Sequence, residues 1–421
     1  MGSVMVKRVL MIAFHFPPLR GSSGIQRTLK FSKYLPEYGW EPILLTAHPR
    51  AYSSTSNDLV GEIADLASVH RAFALDTSRH LSVLGHYPNI LALPDRWVSW
   101  WLGAIPMGLS LIKKYRPDVI WSTYPIATAH LIGLSLCRLT GIPWVADLRD
   151  PMTDVNYPPN PLTRRIYQWI EKKTITCCTR AVSTTPGAVS AYRAKFPKVQ
   201  SARLCLIENG YDEENFVTAE LGISRKWTLN KPFVLVHSGI IYPSERDPTQ
   251  FFAALSVLIQ QRKISKKSLN IILRATAHDE YLQRLIDQYG LGEIVSLAPP
   301  IPYQEALSEM LTADGLLLLQ ASNCNYQIPA KLYEYLRTYR PILALTDLTG
   351  DTAATLLKVG INTIAPLDSI PDIIHGLLNF LELVKNGEAP IALMEEVSAT
   401  SRKSRTKELA NLLDQVAQES G

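Results

Sequence analysis

The feature that most constrains this chain is an alternation of two periods. Short apolar, β-branched runs are separated by longer stretches whose apolar residues recur at helical spacing. In the first half the runs are RVLMIAF (8–14), EPILLTA (41–47), DVIWSTY (118–124), IPWVADL (142–148) and RAVSTT (180–185). Between them, GIQRTLKFSKYLPEYG and IATAHLIGLSLCRLTG keep the helical period and end at Gly39 and Gly141, as helices closed by glycine do. A run that is apolar at every position suits a strand covered on both faces. Strand–helix alternation then predicts a parallel sheet between two helical layers, the α/β class.

The pattern restarts near residue 217, after the polar stretch ENGYDEENFVTAELGISRKWTLNKP (208–232). The new runs are PFVLVHSG, SLNIILRA, IVSLAPP, GLLLLQA and PILALTD, with helical stretches such as TQFFAALSVLIQQ and DEYLQRLIDQYG between them. A chain of 421 residues is longer than one hydrophobic core usually serves. Two doubly wound α/β domains of similar size are therefore expected. The tail, TSRKSRTKELANLLDQVAQES, is a charged amphipathic helix with no strand after it.

Composition narrows the function classes. Hydrophobic residues are 47% and charged residues 19%, an ordinary globular balance. The net charge of +5 favours phosphates or an anionic membrane surface, and is too diffuse for a nucleic-acid partner. Five cysteines form neither a CxxC pair nor a ligand spacing with histidine, which suits a reducing compartment and no metal. The opening MGSVMVKRVLMIAF is not a convincing signal peptide, and no stretch approaches the ~20 apolar residues of a membrane span. A cytoplasmic protein is expected.

Four stretches carry candidate chemistry. HFPPLRGSSGIQR places Gly21, Ser22, Ser23 and Gly24 between the first strand and the first helix, where free amides and the helix dipole attract phosphate or carboxylate. VADLRDPMTD crowds Asp147, Arg149, Asp150 and Asp154 at the carboxyl end of a strand, the ligand end of open α/β sheets. HSGIIYPSERDP puts Gly239 after a strand and Arg246 before the next helix; its His237, at the strand end, could line a cleft. IPAKLYEYLRTYRPILAL carries Lys331 and Glu334 at a helix mouth. Arg246 can fork onto a diphosphate, Lys331 can act as a point charge and Glu334 can accept from a ribose diol. The bland alternative for Lys331 and Glu334 is a helix ion pair worth a few tenths of a kcal/mol, and the residues alone favour it. His130, on an apolar helix face, reads as a core histidine. No GxSxG elbow and no GxGxxG fingerprint occurs, which disfavours a serine hydrolase and an NAD-dependent dehydrogenase.

Taken in order along the chain, these stretches resemble glycosyltransferase family 4 proteins of the GT-B fold. ENGYD followed by Phe216 is similar to that family's segment at the domain junction, and KLYEYLRTYRPILAL is similar to its donor-binding helix and following strand. The resemblance implies two Rossmann-like domains facing a central cleft. Residues 1–216 with a returning helix 396–421 would be the acceptor domain, and 217–395 the nucleotide-sugar donor domain. It implies a nucleotide-diphosphate sugar as co-substrate, no other cofactor, and transfer to a glycan or lipid-linked acceptor hydroxyl with retention and without metal. Glu334 would bind the ribose, Arg246 and Lys331 the diphosphate, and Gly239 would join them. Gly21 to Gly24 would face phosphates or acceptor. Arg149, Asp150 and Arg246 are the catalytic candidates.

The chain departs from the family in three places. Tyr326 stands where a paired glutamate is usual, which hands the sugar contacts to Ser322, Asn323, Asn325 or Gln327. Arg149 and Asp150 stand where many members have a cleft histidine. Arg246 replaces a common lysine, and Arg274-Ala275 a common glycine. These departures keep two alternatives in view, a nucleotide-sugar epimerase and a catalytically silent binding or scaffold protein. Finally, DRWVSWWLGAIPMGLSLIKKYR sets Trp97, Trp100 and Trp101 near Lys113, Lys114 and Arg116. This reads either as a core helix with a solvated end, the favoured reading, or as a peripheral membrane contact.

Overall fold

The computed structural model describes residues 6–20, 24–63, 68–82, 84, 86–154, 157–221, 223 and 232–419. The chain forms two compact units, residues 1–209 with 402–421, and residues 210–401.

In the first unit seven parallel strands form one sheet. They are β1 (Lys7–Ile12), β2 (Trp40–Ala47), β3 (Val69–Ala72), β4 (Val119–Thr123), β5 (Trp144–Arg149), β6 (Arg180–Ser183) and β7 (Leu204–Leu206), in the order β3-β2-β1-β4-β5-β6-β7. Side chains of a strand point alternately to opposite faces, and β1 shows why an all-apolar run is needed. Leu10 and Ile12 enter one core layer with Ile43, Leu45, Ile120 and Trp144. Val9 and Met11 enter the other with Leu44, Trp121, Leu29, Leu35, Leu409 and Leu413. The tail helix Arg402–Glu419 thus belongs to this unit's second layer, where Lys7 pairs with Asp414 at 2.6 Å.

The second unit repeats the plan with six parallel strands. They are β8 (Phe233–Ser238), β9 (Leu269–Arg274), β10 (Val295–Ala298), β11 (Gly315–Leu319), β12 (Ile342–Leu345) and β13 (Ile364–Ala365), in the order β10-β9-β8-β11-β12-β13. Leu317, Leu319, Leu343 and Leu345 face Phe251, Leu255 and Phe380. Leu316, Leu318, Ile342 and Ala344 face Leu307, Leu332 and Leu336. Both sheets reverse their strand order once, between β1 and β4 and between β8 and β11. Such switch points open a crevice at the carboxyl ends of the strands.

All ten apolar runs form strands. The three strands without such a run, β3, β7 and β13, are short edge strands, four, three and two residues long. Half-exposed edges carry mixed residues and no apolar signature. The chain leaves the first unit ahead of the expected 216/217, because Tyr211 and Phe216 bury in the second unit's core. There Arg337 pairs with Glu213 at 2.6 Å. At the other end the helix Met394–Ala399 stays with the second unit through Val397, and residues from 402 join the first.

Candidate functional site

The second unit assembles its candidates around the end of β8. The helix Lys331–Thr338 carries Lys331 and Tyr335 four residues apart, hence on one face. The Tyr335 hydroxyl accepts the Ser238 backbone N–H at 2.9 Å, and Lys331 Nζ lies 2.9 Å from His237 Nε2. His237 is buried, with Nδ1 2.9 Å from the Leu317 carbonyl. A carbonyl can only accept, so Nδ1 carries the proton and Nε2 offers its lone pair to the lysine. Burial, and then the Lys331 charge, hold the His237 pKa well below its ordinary value. Burial, and then Arg246, hold Lys331 well below the usual lysine range, while Glu334 opposes them.

Gly239 follows at φ +101°, and a Cβ there would lie 3.2 Å from Lys331 Nζ, so glycine admits both the turn and the lysine. Its N–H donates to the Arg274 carbonyl at 2.8 Å. Arg246 Nη1 donates to the Ile240 carbonyl at 2.9 Å, and its guanidinium lies 5.5 Å from the Tyr242 ring centroid. Among the described residues its remaining N–H groups carry no hydrogen bond. Glu334 accepts from the Tyr303 hydroxyl at 2.7 Å. Lys331 and Glu334 are therefore each tied to other elements, which an ordinary solvated helix pair is not.

The loop after β11 supports the same corner. Ala321 N–H donates to the Glu245 carbonyl at 2.7 Å, and the Asn323 amide donates to the Ser244 carbonyl at 2.8 Å. Asn323, expected at the sugar, thus uses its amide donor to brace the turn that carries Arg246. Ser322 is exposed. The Gln327 carbonyl accepts from the Gln320 amide at 2.9 Å and from the Thr352 hydroxyl at 3.1 Å. Where the family resemblance expects glycine, Ala275 keeps the left-handed conformation at φ +57°, and Arg274 pairs in a fork with Glu309 at 2.5 and 3.0 Å.

In the first unit Arg149 ends β5 at φ +62°, beside a register shift between β5 and β6. A non-glycine residue in this region is uncommon and clusters at functional sites. Its Nη1 donates to the Tyr124 carbonyl at 3.3 Å. The Thr184 hydroxyl lies 3.2 Å from the Arg149 carbonyl and 3.3 Å from Asp150 Oδ1. Burial raises the Asp150 pKa, opposed by Arg149, and burial followed by Arg149 lowers that of His15 to about 3. His15, Arg149 and Asp150 thus form one electrostatic group with a neutral imidazole. Asp147 plays a different part. It takes two bonds of 2.9 Å from Arg27 and one of 2.8 Å from Thr123, so its oxygens are committed to the scaffold. Gly24 opens the helix Gly24–Tyr34 and is buried; Gly21, Ser22 and Ser23 lie outside the described residues. Among the described residues no three His, Cys, Asp or Glu side chains gather as a metal-ligand set.

The tryptophan cluster divides. Trp100 is fully buried, and Trp97 packs against Phe14 at 4.8 Å between ring centroids. Trp101, Leu102 and Leu109 of the helix Ser99–Tyr115 are exposed, as is Leu139 of the helix Ala127–Thr140. The Trp101 indole N–H donates to Ser135 Oγ of that helix at 3.0 Å. His130 is a core residue, bonded through Nδ1 to Ser122 at 2.8 Å. No helix among the described residues is long and apolar enough to cross a membrane.

Tyr303, Tyr335 and Thr184 do not stand out in the sequence. Tyr335 has a signal, its four-residue spacing from Lys331; Tyr303 and Thr184 act across distant elements and have none.

Residues 24–210 match the family model of a glycosyl transferase 4-like domain. No curated protein matches the sequence. Among solved structures the chain is similar to sucrose-phosphate synthase from Thermosynechococcus elongatus, with 13% identity, TM-score 0.66 and coverage of 98% of this chain and 100% of that one. It is similar to α,α-trehalose 6-phosphate synthase from Burkholderia multivorans, with 10% identity, TM-score 0.64 and 99% of each chain covered. It is also similar to UDP-GlcNAc 2-epimerase from Neisseria meningitidis bound to UDP-GlcNAc, with 12% identity, TM-score 0.57, and 97% and 100% covered. Likeness at this identity establishes a shared fold.

Proposed function

From a chain that has the GT-B fold and carries a glycosyl transferase 4-like domain over residues 24–210, we propose a glycosyltransferase. It moves a sugar from a nucleotide-diphosphate donor to an acceptor hydroxyl of a glycan or lipid-linked molecule. The observation that carries this reading is the corner at the end of β8, where two basic side chains, Lys331 and Arg246, meet a glycine turn beside the switch point of the second sheet. One similar fold holds UDP-GlcNAc, which supports a nucleotide-sugar here.

In this reading Glu334, oriented by Tyr303, takes the ribose hydroxyls. Arg246 and Lys331 take the diphosphate, with the backbone turn at Gly239 giving it room to approach. Ser322, Asn323 and Gln327 are the candidates for the sugar contacts. The chemical demand is stabilisation of the departing diphosphate as charge develops on it. Preorganised cations supply that without a metal, each lowering the barrier by on the order of 2–4 kcal/mol. Lys331 suits this role. An arriving dianion favours the charged form that burial opposes, so the lysine binds most strongly where negative charge is greatest. Arg149 and Asp150, with neutral His15 beside them, are assigned to sugar or acceptor contact, and retention of configuration is part of the proposal.

The acceptor side carries a membrane contact in the same reading. Trp101, Leu102 and Leu109 are exposed beside Lys113 and Lys114, and neither helix of this face contains an acidic residue. An apolar face on two helices that carry basic and no acidic residues suits an anionic bilayer surface. The second reading, a silent nucleotide-sugar binder, is favoured by Tyr326 in place of a paired glutamate. Release of nucleoside diphosphate from a nucleotide-sugar, with and without acceptor, separates the two. Turnover supports the transferase; tight binding with no turnover supports the binder; interconversion of the donor sugar supports an epimerase.

A further inference from the structure

His237 occupies a position that its strand reserves for apolar residues. Leu235, two residues earlier and on the same face of β8, belongs to the apolar core. Burying an imidazole there is costly unless both nitrogens are satisfied. Both are, and in a fixed sense: Nδ1 is 2.9 Å from the Leu317 carbonyl of β11, and Nε2 is 2.9 Å from Lys331 Nζ. The same lysine passes over Gly239, where a Cβ would stand 3.2 Å from Nζ. A lysine has a long flexible stem, and a buried acceptor is what fixes such a stem in one direction.

We propose that His237 is a positioning residue, whose Nε2 lone pair, fixed by the Leu317 carbonyl at the other nitrogen, holds the Lys331 ammonium over the Gly239 turn where the donor diphosphate binds. This rests on the assignment of that corner to the nucleotide-sugar. The groups facing the imidazole are Lys331 from the helix, Arg246 from the loop after β8, the Leu317 carbonyl from β11 and the Gly239 backbone. None of the side chains is acidic; burial first, then Lys331 and Arg246, keep the imidazole neutral against the two backbone groups, which favour protonation. A protonated His237 has no lone pair for the ammonium and repels it, and the lysine loses its direction.

The test uses two polar variants and a cycle. His237→Gln keeps an acceptor at the place of Nε2. His237→Asn keeps a donor for Leu317 and withdraws the acceptor from Lys331. Affinity is measured by calorimetry for the tightest of UDP, GDP and ADP and for the corresponding nucleoside, with unfolding midpoints recorded without ligand. H237N is expected to weaken the diphosphate by about tenfold and leave the nucleoside unchanged, while H237Q stays near wild type. In a Lys331→Met background H237N is expected to have no further effect, the signature of one residue acting through another. The inference is overturned by an equal loss in both backgrounds, by an equal loss for the nucleoside, or by unchanged diphosphate affinity in H237N. Should the wild type bind none of the three diphosphates, the donor corner itself falls, an outcome distinct from binding without coupling.

Discussion

Arg27 grips Asp147 through two parallel bonds of 2.9 Å, Nε to Oδ2 and Nη2 to Oδ1, with both side chains buried. The same guanidinium donates to the carbonyls of Ile207 at 2.9 Å and Glu208 at 3.0 Å. One ion pair therefore ties the first helix, the end of β5 and the exit from β7. Removing one partner strands the other charge in the interior. Arg27→Met or Asp147→Leu should each cost about 3–5 kcal/mol, read by urea unfolding. The double variant should cost less than the sum of the two; additivity, or single losses under about 1 kcal/mol, would show that the pair carries little.

Glu334 is held by Tyr303, and the proposed ribose contact depends on both. A nucleoside diphosphate at 100 times its Kd should stabilise the wild type by about 2.7 kcal/mol, visible in a thermal shift with or without EDTA. Glu334→Ala should lose most of that shift, and Tyr303→Phe part of it. An undiminished shift in Glu334→Ala would return this carboxylate to the role of a surface group.

Buried histidines set an acid limit on stability. His130 is fully buried, and burial lowers its pKa from 6.5 to about 4. Between those values the unfolded chain binds a proton that the folded chain refuses, so stability falls as pH drops, by about 1.4 kcal/mol per unit. From pH 7 to pH 5 His130 should contribute a loss of about 2 kcal/mol. Unfolding curves of wild type and His130→Gln at the two pH values measure it. An identical pH dependence in both proteins would refute the assignment.

The exposed face of Trp101, Leu102 and Leu109 predicts co-sedimentation with anionic vesicles, weakened by salt. Leu102→Glu with Leu109→Glu should abolish it, at little cost in stability from Leu102, which is 64% exposed, and some from Leu109, which is 37% exposed. Binding that persists in the double variant would place any membrane contact elsewhere.

Much of the fold was legible because a central parallel strand must be apolar on both faces. Val9 to Ile12 show that rule, and Leu316 to Leu319 repeat it. Edge strands escape it: Val69–Ala72 is mostly half-exposed, and its sequence VHRA has no period of its own. The candidate site was legible in part. Gly239, Arg246, Lys331 and Glu334 stand out as polar residues at strand ends and helix mouths. The tryptophans divided: the favoured core reading holds for Trp100, which is fully buried, and for Trp97 packed against that core, while adjacent Trp101 is 36% exposed.

By itself the sequence determined the class of fold and the two-part plan, since both follow from local periods of apolarity that a chain carries along its length. Only the tertiary structure decided the partners. Lys331 and Glu334 look like a pair three residues apart, yet one hydrogen-bonds His237 and the other Tyr303. Asp147 and Asp150 look like equal carboxylates, yet Asp147 is committed to Arg27 and Thr123. A hydrogen bond depends on direction and on separations of about 3 Å, and for residues far apart in the chain those are set by how strands and helices pack.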